Sequence, residues 1–389
     1  GAVMNYVHLS PHFPANYYLF SVNLARLGAN VLGLADEQYG NLRPELREVL
    51  AEYYHVSDMH NYDDLLRACG YLTHRHGKLH RIDAHSEYWM ETEARLRTDF
   101  NIPGPHLGDI AAYKRKSLMK AAYMRAGVPV AAGGLVQTLG DALPLAEQTG
   151  YPLVAKPDIG VGAANTFRID DRAALERFFA TKPPVDYLIE EFITGEIVSF
   201  DGLADREGKP VFFGSLVFSQ GIMETVNEDR HLYFYTEREI APDLEEAGRR
   251  ILKEFAIRER FFHFEFFRTP DGRLVALEVN VRPPGGTALD VYNHSCEVDL
   301  YWGWANVVVN NRFVDSYTRK YYCCYVGRKF NKQYLHSHED ILSTWGYCIA
   351  HHEPVSPAFS LAMSDYAYMV RTPDRDEMFA ATRYIQQMG

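Results

Sequence analysis

Two glutamates, an asparagine and an arginine interrupt a pair of otherwise apolar runs. In 261-FFHFEFFR-268 the phenylalanines alternate with His263 and Glu265, and 274-LVALEVNVRPPGG-286 carries Glu278, Asn280 and Arg282 into a Pro-Pro-Gly-Gly turn. Side chains on a strand alternate faces with a period of two. Ala276, Glu278 and Asn280 are therefore expected on one face of the second run, and Val275, Leu277 and Val279 on the other. Thr269-Pro270-Asp271-Gly272 reads as a tight turn, so the runs form a hairpin on which Glu265 and Glu278 can converge. Two carboxylates and an amide oxygen make a hard donor set suited to Mg²⁺, or Mn²⁺ in its place, which keeps waters and takes other ligands from substrate phosphates. Two solvated acids on an amphipathic hairpin are the alternative that Glu265 and Glu278 alone leave open. Arg282 adds a planar fork of donors for a phosphate or carboxylate. Gly285 and Gly286 let backbone N–H groups approach an anion closely.

A second set of cations lies upstream. Lys156 ends the apolar run Leu153-Val154-Ala155 and precedes Pro157-Asp158-Ile159-Gly160-Val161-Gly162-Ala163-Ala164, a small-residue loop able to cover a polyphosphate. A β-turn with an incidental lysine is the alternative. Lys116 belongs to 114-KRKSLMKAAYMRAGVPV-130, an amphipathic helix stopped by Gly127, with Pro129 beyond it. By itself it reads as a solvated helix lysine.

These residues need a scaffold, and the chain supplies signals for one. Asn5 to Ser10 reads as a strand, followed by a helical pattern to Gly28 and a second strand from Asn30 to Ala35, the start of a doubly wound unit. Its first turn lacks GxGxxG, so no dinucleotide fingerprint is present. A helix around Tyr62 to Cys69, a strand and loop from Arg81 to Glu87, a charged helix to Phe100, and Ile102-Pro103-Gly104-Pro105 complete this part. Residues 151–169 read as strand, turn, strand, and Asp171 opens a helix to Ala180. Tyr187 to Phe192 reads as a further strand. Val198 to Ala204 and Val211 to Phe218 read as a hairpin, and Asp243 to Ile257 has apolar residues at helical spacing. After Asn311 the sequence is rich in Tyr and His and is assigned only as a mixed segment.

Composition narrows the partners. At 389 residues the chain exceeds one small core, so roughly two to four packed subdomains are expected. A net charge of −11 without a basic stripe speaks against nucleic acid as the main partner. No apolar run approaches the roughly 20 residues that span a bilayer, and no basic segment leads an apolar one. A cytoplasmic protein without a membrane partner is expected. The five cysteines are odd in number and lack CxxC spacing, which fits reduced thiols and neither a zinc site nor a disulfide framework. The leading Gly1-Ala2 reads as the scar of a removed tag.

The order of these motifs carries more than any one of them. A helix lysine before AGVPV, a strand lysine in YPLVAKP with its loop, 188-LIEEFITGE-196, and then Glu265 with EVN.R closely resemble the ATP-grasp superfamily, especially its carboxylate–amine ligases, over Arg81 to Trp302. The resemblance implies an α/β ATP-grasp fold with an N-terminal doubly wound, Rossmann-like pre-ATP-grasp domain at 1–110. It implies a small lid subdomain at 111–192, a large subdomain with the metal site at 193–310, and a segment at 311–389 completing the large domain. Lys116 and Lys156 match the lysines on the ATP phosphates, and Gly160, Gly162 and Ala163 match the covering loop. Glu190, Glu191, Phe192 and Ile193 match the linker that reads adenine, and Glu265, Glu278 and Asn280 match the Mg²⁺ ligands. Arg282 matches the arginine at the transferred phosphoryl or acyl group. The family's ribose glutamate stands two residues after the linker glycine; here Glu196 is one residue after Gly195 and Ile197 holds the usual place.

The activity so implied is ATP-dependent activation of a small-molecule carboxylate as an acylphosphate, followed by attack of an amine. Glu87 is a candidate for a substrate amine, with Gly285 and Gly286 beside the acyl group. Arg230 is a candidate for a carboxylate, His231 for the proton of the attacking amine, and His294 is a lesser candidate. A non-catalytic nucleotide-binding module and a bicarbonate-using carboxylase are the competing readings. A homodimer is expected from the resemblance alone.

Overall fold

The computed structural model describes residues 3–160, 165–219, 231–356 and 364–389. Its first sheet has four parallel strands, Asn5–Leu9, Asn30–Ala35, Glu52–His55 and Arg81–Asp83. Asn5–Leu9 lies between Asn30–Ala35 and Arg81–Asp83, so the chain builds outward on one side of its first strand and then returns to the other. Such a reversal opens a crevice at the carboxyl ends of the two strands, where open α/β sheets bind ligands. Glu87 follows Arg81–Asp83 closely and stands on that crest. Val7, Leu9, Leu32, Leu34 and Ile82 pack with Leu65, Ala68 and Leu72 of helix Tyr62–His76.

The second sheet is antiparallel, from Gly133–Val136, Leu153–Pro157, Phe167–Ile169 and Tyr187–Glu191. One face carries Leu153, Ala155, Tyr187 and Ile189 onto helices Leu139–Thr149 and Arg172–Thr181. Alternation leaves Lys156 and Glu190 on the opposite face. Asp171 is the cap of the latter helix: its carboxylate accepts the Ala174 N–H at 2.8 Å.

A nine-stranded sheet forms the largest layer. Leu274–Asn280 is at one edge, followed by Arg260–Arg268, Glu196–Ala204, Leu216–Phe218, Tyr233–Thr236, Tyr322–Arg328, Tyr366–Thr372 and Ile349–Pro354, and Pro210–Gly214 pairs with Glu196–Ala204. The segment after Asn311 thus adds three strands to this sheet. The strand expected at Val211–Phe218 is divided at Ser215, and the Ser199 hydroxyl accepts the Leu216 N–H at 3.0 Å, in place of a ladder carbonyl.

Two local expectations are corrected. The helix expected from Lys114 is broken at Arg115, whose φ of −99° and ψ of 116° are extended, so Ala111–Lys114 and Lys116–Arg125 are separate helices. Lys116 therefore opens a helix. On the hairpin, His263 opposes Asn280 and Glu265 opposes Glu278, but Phe266 then opposes Ala276, which leaves Leu277 outside the ladder. A one-residue slip exchanges faces. Ala276 consequently packs with Phe264, Phe266, Leu274 and Val279 in the core, and does not share the face of Glu278 as strict alternation had it.

A buried ionic cluster fastens the first sheet to this hairpin. Arg260, the first residue of its strand, donates through Nη2 to Asp83 at 2.8 Å and through Nη1 to the Val281 carbonyl at 3.3 Å. Arg97 donates to Asp83 at 3.3 Å and to the Ile82 carbonyl at 2.8 Å. His85 lies beside them with its N–H on Asp83 and its ring stacked on Phe20 at 4.0 Å. Burial, aided by Arg260 and Arg97 and opposed by Asp83, brings the His85 imidazole down to about 4. An unfolded histidine titrates near 6.5, so the stability gained by keeping this ring neutral is full above that pH. It is lost as pH falls from 6.5 to 4, by about 3 kcal/mol in all. Glu93, pushed up to about 8 by burial and Asp83, shifts stability in the opposite sense. The difference between wild type and His85→Gln isolates the ring. Urea midpoints should fall more steeply for wild type from pH 6.5 to 4.5, and parallel curves would refute a neutral buried His85.

Candidate active site

Glu265 and Glu278 face each other across one rung of the hairpin ladder. Burial, and then Glu265, hold the Glu278 carboxyl above the ordinary range, against the pull of Lys116 and Arg282. Burial also works against ionisation of Glu265, but His263, Arg282 and Lys116 outweigh it and hold that carboxyl low. His263 is itself braced: Nδ1 is 2.5 Å from Asp201 and Nε2 3.0 Å from Glu265. Burial alone would lower this imidazole, yet the two acids push it up to about 10, so both nitrogens donate. Asp201 also accepts from Ser199 at 2.6 Å and from the Tyr292 hydroxyl at 2.5 Å.

Asn280 is oriented by its own amide. Its Nδ2 donates to the His263 carbonyl at 3.2 Å, and Oδ1 accepts from Arg282 Nη2 at 3.3 Å. The oxygen is thereby the acceptor end of the amide, with Arg282 on it. Among the described residues no three His, Cys, Asp or Glu side chains gather as a metal site. The set is two facing carboxylates and an amide oxygen, a donor chemistry that fits Mg²⁺ with water or phosphate completing its shell.

Arg282 reaches from the hairpin toward the first sheet. Its Nη2 is 3.7 Å from Glu87 Oε2, which brings the crest of Arg81–Asp83 to the Asn280 end of the hairpin. The turn that follows is tied to the same domain: Asn16 Nδ2 donates to the Gly286 carbonyl at 3.4 Å and to the Tyr301 hydroxyl at 2.9 Å. Gly286 has φ of +60°, a left-handed conformation that suits glycine.

Three lysines line the other wall. Lys156 Nζ is 2.9 Å from Glu190 Oε1, and Lys120 Nζ is 2.5 Å from Glu190 Oε2. Burial disfavours the Glu190 charge, but Lys156 and Lys120 outweigh burial and hold its carboxyl below the ordinary range. Lys116, one turn before Lys120, bears electrostatically on Glu265 and Glu278. Asp158 sets this register. Buried at 1% exposure, it accepts the Ser117 N–H at 2.8 Å and Arg115 Nε at 3.1 Å, while its carbonyl accepts the Lys116 N–H at 2.8 Å. The strand of Lys156 and the helix of Lys116 are thus fastened together two residues after Lys156.

The remaining candidates are more dispersed. The Glu191 carboxylate accepts the Ala132 N–H at 2.8 Å and so points away from Glu190. Arg168 lies 4.7 Å over the Phe192 ring, and Ile193 is buried. Gly195 passes so close to the Arg268 carbonyl that a Cβ would meet its oxygen at 2.4 Å, which explains a glycine where the chain enters the large sheet. Glu196 is exposed at the start of its strand, opposite Arg268. Gly160 closes the described part of the loop; Gly162, Ala163 and Arg230 lie outside the described residues. The His231 ring is 5.2 Å from Tyr334 in the C-terminal segment, and the His294 ring is 6.4 Å from His351.

Lys120, Asp158, His263 and Asp201 were missed by sequence reasoning, as was Tyr123, a buried phenol whose hydroxyl has no partner among the described residues. Spacing held a clue for Lys120 and Tyr123, which follow Lys116 on one helix face. Nothing local marks Asp158 as a helix cap, because the helix it caps precedes it in the chain. Asp158→Asn should cost about 1–2 kcal/mol by chemical denaturation and speed amide exchange at Lys116 and Ser117; unchanged exchange there would rule out the capping role.

The chain is similar in sequence and in fold to known proteins. Residues 149–290 match the model of the ATP-grasp domain. The chain is 24% identical over 242 residues to the L-arginine-specific L-amino acid ligase of Bacillus subtilis, a stretch that is 60% of this chain and 58% of that enzyme. Its fold is similar to the crystal structure of the L-amino acid ligase from Bacillus licheniformis, with a TM-score of 0.73 at 14% identity, over 98% of this chain and 97% of that one. It is also similar to the biotin carboxylase domain of Hydrogenobacter thermophilus 2-oxoglutarate carboxylase in complex with MgADP, with a TM-score of 0.70 at 18% identity, over 98% and 90% of the two chains. Residues 149–290 thus match the ATP-grasp domain, and the chain as a whole shares the fold of these proteins.

Proposed function

We propose that the protein is an ATP-dependent carboxylate–amine ligase acting on small molecules, with amino acids as the first class to test. The facing pair Glu265 and Glu278, with Lys116 and Arg282 turned on it, carries the reading. Glu265, Glu278 and Asn280 would hold Mg²⁺, or Mn²⁺ in its place, which when bound neutralises phosphate charge. Lys116 and Lys156 supply fixed positive charge for the phosphates, covered by the loop of Gly160, Gly162 and Ala163. Glu190, Glu191, Phe192 and Ile193 form the side on which the base rests, with Glu196 near the sugar.

A substrate carboxylate oxygen bonds to the terminal phosphorus as its bond to ADP breaks. An amine nitrogen then bonds to the acyl carbon, phosphate leaves, and the amine's proton passes to a base. Such chemistry depends on positioning and charge, and needs no covalent nucleophile from the protein. Arg282 and the backbone of Gly285 and Gly286 are assigned to the acyl group and Glu87 to a substrate ammonium, which accounts for their meeting across the domain boundary. Arg230 and His231 are assigned to the second substrate. Two copies of the chain in solution and a cytoplasmic location belong to the same proposal; the cysteines, all free and buried, accord with a reducing compartment. No helix among the described residues is long and apolar enough to cross a membrane.

The test is ADP and phosphate release with ATP, Mg²⁺ and amino acids in pairs. Wild type should turn over with some pair, and Glu278→Gln should lose about two orders of magnitude. Equal signal from that variant would remove the metal assignment. ADP formation that needs bicarbonate and no amine would favour a carboxylase, and tight ATP binding without turnover a non-catalytic module.

A further inference from the structure

Glu190 carries a lysine on each of its carboxylate oxygens. Lys156 holds Oε1 at 2.9 Å from the neighbouring strand, and Lys120 holds Oε2 at 2.5 Å from helix Lys116–Arg125. The three side chains are 20%, 12% and 8% exposed for Lys156, Lys120 and Glu190, so this is a nearly dry cluster of two cations and one anion. Tyr123, from the same helix, is a buried phenol whose ionisation is opposed first by burial and also by Glu278, Glu265 and Glu190, so it adds no charge of its own to the cluster.

The two lysines are not equivalent. Lys156 leads directly into the loop at Gly160 and is assigned to the phosphates, so a bound nucleotide competes with Glu190 for it. Lys120 points at the same carboxylate from a helix whose first turn is fixed by Asp158, and no second acceptor for its ammonium is described. When Lys156 turns to phosphate, Lys120 is left to hold Glu190 ionised and in place. A buried carboxyl without a cation gains a proton readily.

Protonation there changes what the site can recognise. An ionised carboxylate only accepts hydrogen bonds, and a protonated one also donates. The 6-position of adenine carries an amino donor, whereas that of guanine carries a carbonyl acceptor. Resting on the reading above that Glu190 lies on the base side of an ATP site, we infer that Lys120 is a positioning residue that sets the preference for adenine over guanine nucleotides by keeping Glu190 an acceptor.

The experiment compares ATP and GTP, each with Mg²⁺, on the full chain and on Lys120→Met and Lys120→Arg. ADP and GDP formation is followed with the amino-acid pair found in the release screen, and nucleotide affinity is measured separately by calorimetry. Lys120→Met should reduce the ATP-over-GTP ratio of kcat/KM about tenfold or more, chiefly through a higher KM for ATP with kcat within a few fold. Lys120→Arg should restore the ratio, since it keeps the charge. An unchanged ratio in Lys120→Met, or equal loss in both variants, overturns the inference. If Lys120→Met fails to fold, the ratio in Lys120→Gln takes its place. If wild type binds nucleotide without turnover, the ligase reading falls while the calorimetric ratios still test Lys120. If wild type binds neither nucleotide, the inference falls too.

Discussion

Two carboxylates placed on one rung of a β-ladder repel each other, and much of the cleft is arranged around that repulsion. Glu265 is offset by His263, which Asp201 holds from below, and Asp201 in turn accepts from Ser199 and Tyr292. Glu278 has no such support, and burial and Glu265 hold its carboxyl above the ordinary range. Lys116 and Arg282 converge from two other elements. Under the ligase proposal this charge arrangement would be balanced when a divalent ion and phosphates enter together.

Holding that arrangement requires fastening three sheets that have little reason to remain in register. The Asp83–Arg260 pair joins the first sheet to the hairpin at the crest where Glu87 meets Arg282. Asp158 joins the small sheet to the helix that carries Lys116 and Lys120. Each fastening is a buried acid with several donors, the arrangement in which an ionic contact is strong because losing one partner strands the other. Neighbouring aromatic packing, such as His85 on Phe20, keeps water from competing for these bonds.

Much of this was legible in the sequence. The hairpin of Glu265 and Glu278, the lysine at the end of Leu153–Pro157 and the parallel first sheet all follow from periodicity and turn residues, because those are local properties. Long-range partners were not legible: Asp201 under His263, Asp158 above Lys116 and Lys120 against Glu190 are pairings that only the packed fold creates. The break at Arg115 was hidden because the run from Lys114 keeps helical spacing on both sides of it, and the Asp158 contacts supply the reason for the interruption. The face of Ala276 was assigned wrongly because alternation assumes an unbroken ladder.

That slip at Leu277 bears on how the protein can vary. With one extra residue in Leu274–Asn280, the strand presents Leu274 and Ala276 to the core and then re-phases to present Glu278 and Asn280 to the cleft. Without Leu277 the ladder would close regularly, with Glu278 still opposite Glu265 and Ala276 still opposite Phe266, because those partners are already adjacent on Arg260–Arg268. The extra residue is what lets one strand carry Ala276 and Glu278 two positions apart and yet on opposite faces, so that core and cleft are served from a single edge strand.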